Sequence, residues 1–327
     1  MSASFSFKIY SSTSEFPTNW NDFSANNIFF SKEYLHILEV SSPNNILSNF
    51  IGLFQNEKLV GVALTQFNNL SLVNSYGERD HCIKNKIRTI VFKNFSSNVL
   101  VVGNNTLTGQ NTFCFSKEVP AKDLIVLLYK AVEELQRQIE KNGQKVHLVI
   151  YKDFPEIQVP LFELPEFSSF YNFTTQPNML FSIKEHWNTF DDYVTDLSKK
   201  YRDQFKRARK KSEGITKRKF SIEDIEKYKE RIVELYLNVA KKATFNTFYL
   251  NDDHFEVFKK ALNDKFLFYG YFKDETLIGF NTLIKNGNDI DTYFLGYDEK
   301  CQRERMLYLN MLYDMIAYSI NLSLIHI

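Results

Sequence analysis

Two stretches of alternating apolar and polar residues share one pattern, at positions 50–61 and 268–279 of the 327-residue chain. Both follow F-x-G-x-F-x-[ND]-E-x-L-[VI]-G, and six of the twelve positions are identical at a constant offset of 268 − 50 = 218. Alternation on both sides of a short polar turn predicts a β-hairpin. Because the identities include both strands and the turn, the pattern indicates that the chain contains one fold twice.

The segments around the hairpins extend this repeat. Apolar residues at spacings of three and four predict helices on both sides of the second hairpin, and Gly143 ends a long amphipathic segment after the first. In the second copy the predicted elements are helices 222–242 and 252–263, strand 289–297, helix 306–321 and the start of a last strand. In the first copy they are strand 99–102 (the equivalent of that last strand), helix 121–142, strand 146–151, a short helix around 164–171 and a strand near 179–183.

This order predicts a mixed α/β fold with antiparallel central sheets, arranged as tandem domains over 1–184 and 185–327. The first copy has elements that follow the point at which the second copy reaches residue 327. We therefore expect the second domain to be truncated at its C-terminal end, with an unpaired sheet edge.

A strongly basic segment opens the second domain. Thr189 and Asp192 form a [ST]-x-x-[DE] start and Gly214 a stop, so that one helix is predicted between them. Apolar residues form a single seam along this helix, and Lys or Arg residues fill the remaining faces. The seam is Val194, Leu197, Tyr201, Phe205 and Ala208, and the basic residues are Lys199, Lys200, Arg202, Lys206, Arg207, Arg209, Lys210 and Lys211.

Charge is segregated although the net charge is only +1. Eleven Lys or Arg residues between 199 and 219 oppose Asp203 and Glu213, which gives 11 − 2 = +9 and leaves 1 − 9 = −8 for the rest. A charge run is most often a solvated face, but like charges at i,i+4 repel, so this stripe indicates a polyanion. A tRNA acceptor arm, a nucleotide-sugar carrier or phospholipid headgroups fit. The predicted substrate-binding residues here are Lys199, Lys200, Arg202, Lys206 and Arg207.

The repeated element order resembles that of the GNAT acyltransferases, and two such folds in tandem resemble the FemAB-like group, which includes peptidoglycan-bridge aminoacyl transferases. The basic segment 197–211 looks like the helix that opens the second domain in that group. The resemblance implies transfer of an acyl or aminoacyl group to an amine on a small molecule or a cell-wall precursor. Acyl-CoA is the implied donor, with aminoacyl-tRNA as the alternative.

In GNAT enzymes the CoA pyrophosphate lies at a [QR]-x-x-G-x-[GA] turn, and the resemblance places the cofactor-binding residues at Gln302, Arg303 and Arg305. Gln302 fits the motif, whereas Arg305 occupies the glycine position and Leu307 the last small position. Three interpretations stay open. The side chains of Arg303, Arg305 and Lys300 bind phosphates, the CoA site is lost, or the segment is a solvated helix start.

Other candidates lie on or near the strand before this turn. Tyr293 is a predicted substrate-binding residue, and Asp291 and Tyr308 are candidates to handle protons, each with a structural role as the alternative. Backbone N–H groups of the strand could stabilise an oxyanion. No catalytic residue is assigned by the sequence.

The composition bears on whether the protein binds a metal and where it is located. Three cysteines, Cys82, Cys114 and Cys301, lie far apart and the six His residues show no ligand spacing, so no metal site is expected. The N-terminus is unlike a signal peptide and no apolar run is long enough to span a bilayer, which predicts a cytoplasmic protein. The alternatives to an enzyme are a non-catalytic module that binds RNA or another polyanion, and an inactive fragment of such an enzyme.

Overall fold

The computed structural model divides the chain into two compact units, and it describes residues 4–72, 97–109, 111–174, 178–243 and 246–322. Unit 1 comprises Met1–Asn178 and Thr244–Asn251, and unit 2 comprises Met179–Ala243 and Asp252–Ile327. Unit 2 therefore consists of two segments of the chain, and the residues between them, Thr244–Asn251, belong to unit 1.

Unit 1 is built on a six-stranded sheet. Its strands are β1 (Phe5–Tyr10), β2 (Ile46–Gln55), β3 (Lys58–Asn69), β4 (Asn98–Val102), β5 (Phe113–Phe115) and β6 (Leu148–Tyr151). Its described α-helices are α1 (Lys32–Val40) and α2 (Ala121–Lys141). Short 3-10 helices cover Thr13–Glu15, Trp20–Ser24, Ile28–Phe30, Leu70–Leu72, Glu156–Glu163 and Pro165–Phe167.

The sheet of unit 1 has the order β1-β2-β3-β4-β6, with β5 paired to β3. All neighbours are antiparallel except β4 and β6, which run parallel from Val99 opposite Leu148 to Val102 opposite Tyr151. Helix α2 connects these parallel strands, and its buried apolar stripe forms the core with residues of β2 and β3. The predicted stop is confirmed, since Gly143 has φ +83° and follows the end of α2.

Unit 2 is built on a four-stranded antiparallel sheet in the order β10-β9-β8-β7. The strands are β7 (Ile215–Lys219), β8 (Phe266–Lys273), β9 (Thr276–Asn286) and β10 (Asp289–Tyr297). The described helices are α3 (Phe190–Asp196), α4 (Lys199–Lys211), α5 (Ile222–Lys227), α6 (Lys229–Ala240), α7 (His254–Leu262), α8 (Glu299–Arg305) and α9 (Leu307–Asn321), with a 3-10 turn at Asn263–Lys265.

The duplication is confirmed at the level of strand register. Gln55 pairs with Lys58 in the first hairpin, and Lys273 pairs with Thr276 in the second, again 218 positions apart. Each hairpin has a register shift at the same place, between Leu53 and Phe54 in one and between Tyr271 and Phe272 in the other. The strands that flank the hairpins agree as well, because β1 and β7 pair with β2 and β8 at equivalent positions.

Four predicted elements differ from the structure. The basic helix is not continuous, because its chain is extended at Leu197, and α3 and α4 therefore form separately. The predicted helix 222–242 is likewise interrupted, at Tyr228. The strand predicted near 179–183 is reduced to one isolated bridge at residue 182, and the short helix around 164–171 to a 3-10 turn. The Thr189–Asp192 capping box is present as predicted.

The equivalence assigned to strand 99–102 is wrong. This strand, β4, pairs antiparallel with β3 as β10 pairs with β9, so it corresponds to β10 and α2 corresponds to α9. In unit 1 the strand that follows α2, β6, then pairs parallel to β4. Among the residues described in unit 2, no strand takes the corresponding place beside β10. The last predicted strand falls on 323–327, outside the described residues, and the truncation stays a prediction.

Candidate active site

Strand β10 carries a β-bulge in its middle. Thr292 pairs with Leu283 and Leu295 pairs with Asn281, so two residues of β10 stand opposite the single residue Thr282. The hydroxyl of Thr282 donates to Phe294 O at 2.6 Å and fixes the bulge from the neighbouring strand. A bulge re-aims side chains, and such distortions are common beside active sites.

The bulge directs Tyr293 toward helix α7. Its hydroxyl lies 3.0 Å from His254 Nε2, and its ring stacks on Phe258 with a centroid distance of 5.0 Å. His254 is almost fully buried, with 1% exposure. The predicted substrate-binding residue Tyr293 is thus joined to a buried imidazole, a partner that no local sequence signal indicated.

Asp291 lies two residues before the bulge. Burial raises the pKa of Asp291 to about 6, with a further small contribution from Asp289, while the bond from Asn286 Nδ2 at 3.2 Å opposes the shift. A half-buried carboxyl of this kind exchanges protons near neutral pH, which is a property that general bases require.

The turn that leads into α9 is more ordered than the sequence indicated. Residues 299–305 form helix α8, and Met306 adopts a left-handed conformation (φ 52°, ψ 41°) before α9 begins. Gln302 Oε1 accepts the N–H of Tyr308 at 2.6 Å, so a protein side chain occupies one donor at the start of α9. Leu307 is fully buried in the core under this turn.

The two predicted phosphate-binding arginines have different surroundings. Arg303 is highly exposed and pairs only loosely with Glu299, at 3.4 Å. Arg305 Nη1 donates to Lys211 O at 3.3 Å and so contacts the last residue of the basic helix α4. The structure therefore brings Arg305 and α4 together, whereas the described contacts of Tyr293 are with α7 and its own strand.

Helix α4 presents most of its cations to solvent. Of the five residues predicted to bind substrate, four are exposed, and Arg202 is half-buried with Nη2 donating to Leu197 O at 3.0 Å. In the apolar seam, Ala208 is fully buried, but Tyr201 is 53% exposed and does not belong to the seam.

Arg209 is the one cation of α4 that turns inward, a role that the sequence analysis missed. Its Nη2 donates to Asp314 Oδ1 at 2.8 Å and its Nη1 to Asn310 Oδ1 at 3.3 Å. Asp314 also accepts the hydroxyl of Tyr271 at 3.0 Å. A signal was present, because Asn310 and Asp314 are polar residues four positions apart on an otherwise apolar helix.

A cavity of about 510 Å³ opens elsewhere in unit 2, between 219–223 and 259–264, and none of the predicted site residues lines it. In its wall, Lys259 Nζ donates to Asn263 O at 3.0 Å and Phe266 O at 3.2 Å. Burial lowers the pKa of Lys259, and the nearby Lys219 lowers it further. The ammonium group therefore serves to cap the end of α7.

Across the described part of the chain, no cluster of His, Cys, Asp and Glu is suited to hold a metal ion. Cys114 and Cys301 are free thiols, and Cys82 lies outside the described residues. None of the described helices combines the length and apolar character that a membrane crossing needs.

The tandem GNAT fold is the class that this architecture defines. A tandem GNAT protein from the clavulanic acid biosynthesis pathway, solved without AcCoA, aligns with a TM-score of 0.50 and 9% identity, covering 97% of this chain and 87% of that one. FemX aligns with a TM-score of 0.48 and 10% identity over 88% and 79% of the two chains. L-PGS from Bacillus licheniformis aligns with a TM-score of 0.48 and 12% identity over 90% and 74%. At these identities the likeness concerns the fold alone.

Sequence comparison gives the family. The FemAB-like family, described as peptidoglycan biosynthesis/recognition, matches residues 13–325, and the chain belongs to it. Among curated protein sequences, none matches. The mixed α/β fold, its tandem GNAT character and the FemAB-like resemblance are thereby confirmed.

Proposed function

We propose that this chain transfers an acyl or aminoacyl group to an amine of a cell-wall precursor, with the chemistry at β10 of unit 2. The observation that carries the proposal is Asp291, a carboxyl with a pKa of about 6 placed beside the bulge. Such a group is deprotonated at neutral pH and still accepts a proton readily. Membership of the FemAB-like family supports the reaction class and the kind of acceptor.

The reaction needs an amine freed of its proton and a stabilised oxyanion. The amine nitrogen attacks the carbonyl carbon of the donor, the C–N bond forms, and the C–S bond of a thioester or the C–O bond of an ester breaks. Asp291 takes the proton that the nitrogen loses and passes it, directly or through water, to the leaving sulfur or oxygen, which returns Asp291 to the carboxylate. Because β10 is an edge strand among the described strands, a row of its N–H groups faces away from β9 toward the reacting carbonyl.

Tyr293 is assigned to the acceptor. Its hydroxyl is held at His254 Nε2, and its ring is packed on Phe258, so the side chain is fixed before substrate arrives. A fixed polar group beside the base orients an amine more effectively than a mobile one, because less conformational freedom is lost on binding.

The donor assigned here is acyl-CoA, with Gln302, Arg303 and Arg305 at its phosphates. Since Gln302 Oε1 already occupies the backbone N–H of Tyr308, phosphate recognition in this turn relies on side chains. The alternative donor, aminoacyl-tRNA, would instead contact the exposed cations of α4.

The test measures transfer to cell-wall precursor amines by the purified chain, with labelled acetyl-CoA in one arm and a charged tRNA pool in the other. We expect Asp291→Asn to reduce kcat by at least about 100-fold, as loss of a general base does. Asp274→Asn, exposed in the turn between β8 and β9 and not among the groups that shift the pKa of Asp291, is the matched control. Arg303→Ala should raise KM for acetyl-CoA alone. Unchanged turnover in Asp291→Asn would refute the assignment.

The competing function is a binding module without catalysis, or an inactive fragment. The specific observation in its favour is that Arg305 stands where the GNAT turn has glycine, with Leu307 buried behind it. Saturable donor binding with no product from either donor would select this alternative.

A further inference from the structure

Seven cations of α4 lie on one arc of about 180°, and six of them are exposed while Arg202 is half-buried. At about 100° per residue, the middle row of this arc consists of Lys199, Lys206 and Lys210. Asp203 is the single acid within the helix, and it lies exposed inside this arc, about 20° from Lys210. Among the described residues, no ion pair within 4 Å includes a member of the arc, although sixteen pairs occur elsewhere. The basic arc is Lys199, Lys200, Arg202, Lys206, Arg207, Lys210 and Lys211.

The helix that carries the basic arc is firmly anchored in unit 2. Arg209, which borders the arc next to Arg202, binds Asp314 and Asn310 of α9, and its guanidinium lies 5.4 Å from the ring of Phe205. Asn310 Nδ2 also donates to Ala208 O at 3.0 Å. The cations are thus displayed by a fixed helix and not by a loose segment, so their mutual repulsion is not relieved by movement of the backbone.

We propose that the basic arc docks unit 2 onto a membrane surface that contains anionic phospholipids. Five of its seven members are lysine, including the whole middle row. Lysine is a compact, hydrated point charge suited to a diffuse negative surface, whereas arginine is favoured for forked contacts with individual phosphodiesters. Lys200 and Lys211, on one flank, have stems long enough to reach the same plane.

The remainder of the chain carries the opposite charge. Outside 199–219 the net charge is −8, so the attraction of the chain to an anionic membrane is concentrated in the segment that carries the basic arc. The inference goes beyond the proposed transfer reaction and does not rest on it, because docking needs neither Asp291 nor a donor.

The experiment is co-sedimentation of the chain with vesicles of equimolar phosphatidylcholine and phosphatidylglycerol, and with vesicles of phosphatidylcholine alone. We expect binding only to the anionic vesicles, weakening steeply as salt is raised. Lys206→Gln combined with Lys210→Gln should weaken it about thirty-fold, from the usual contribution of each basic residue near a membrane. Lys117→Gln combined with Lys122→Gln, exposed in unit 1, is the control of equal charge and should bind as the unaltered chain does.

Three results would overturn the proposal. The first is an equal loss of vesicle binding in both double variants, and the second is no binding to anionic vesicles. The third is tRNA binding that is stronger than vesicle binding and is lost only in the α4 variant, which would assign the basic arc to RNA. Thermal unfolding of each variant shows that it is folded. Asp291→Asn should bind vesicles normally, which separates failure of docking from failure of the transfer assignment.

Discussion

The two copies of the hairpin offer a matched pair of substitutions at Gly52 and Gly270. A methyl group at Gly270 would lie 2.4 Å from two atoms of the Phe220 ring. That ring cannot move aside, because it is 2% exposed and stacks between Phe268 and Tyr228 at 5.2 and 5.5 Å. At Gly52 the nearest atoms, 3.1–3.2 Å away, are one ring carbon each of Phe54 and Tyr10 and a methyl carbon of Leu59.

The expected change in the free energy of unfolding is the sum of two opposing effects. Alanine restricts the unfolded chain, and in a strand this stabilises by roughly 0.5–1 kcal/mol relative to glycine. Overpacking a rigid core costs about 1–3 kcal/mol, and a 2.4 Å contact with a confined ring belongs at the upper end. Gly270→Ala should therefore lower the free energy of unfolding by about 2 kcal/mol. Gly52→Ala, where neighbours need shift only slightly, should change it by less than about 0.5 kcal/mol.

Urea unfolding gives the free energies, and hydrogen exchange over β2 and β8 shows which unit is affected. In the Gly270→Ala background, Phe220→Leu should recover part of the loss, since it removes the obstructing ring atoms. Equal effects of the two glycine substitutions, or no recovery with Phe220→Leu, would refute the steric argument. In that case the loss of stability would arise from the backbone conformation of the glycine and not from contact with the Phe220 ring.

Two further predictions concern unit 2. Because burial raises the pKa of Asp291 to about 6 in the folded chain, the rate of transfer should rise with pH around a midpoint near 6. The folded state retains a proton that the unfolded state loses, so stability should fall as pH rises from about 4 to 6, and Asp291→Asn should abolish this dependence in pH-resolved denaturation. Asp314→Ala should cost about 2 kcal/mol, less than a fully buried pair because Arg209 is 35% exposed. Glu134→Ala, which breaks an exposed pair with Arg137, should lower the free energy of unfolding by less than about 0.5 kcal/mol. Similar losses of stability in Asp314→Ala and Glu134→Ala would contradict the distinction between a partly buried and an exposed ion pair.

The sequence predicted those features that depend on neighbouring residues. Alternation and a polar turn fix a hairpin locally, and the capping box at Thr189 and Asp192 forms within one turn of helix. The break at Leu197, by contrast, lies inside a seam whose spacing fits a continuous helix, and Leu197 packs with both halves against α9. Long-range packing outweighs helical periodicity there. The pairing of Arg209 with Asp314 spans 105 residues, and no short-range pattern specifies such a partner.

The cores of the two copies show where the duplicated folds have diverged. Leu53 and Tyr271 occupy the same place in the strand register, as do Ala63 and Asn281. In unit 1 these positions are apolar and pack in the core that includes helix α2. In unit 2 the Tyr271 hydroxyl donates to Asp314, and Asn281 Nδ2 donates to that hydroxyl at 3.4 Å. An apolar core needs no particular partner, whereas buried polar groups need specific ones. The core of the second copy therefore requires specific hydrogen-bond partners. Its series of hydrogen bonds runs from Asn281 through Tyr271 and Asp314 to Arg209, on the helix that carries the basic arc.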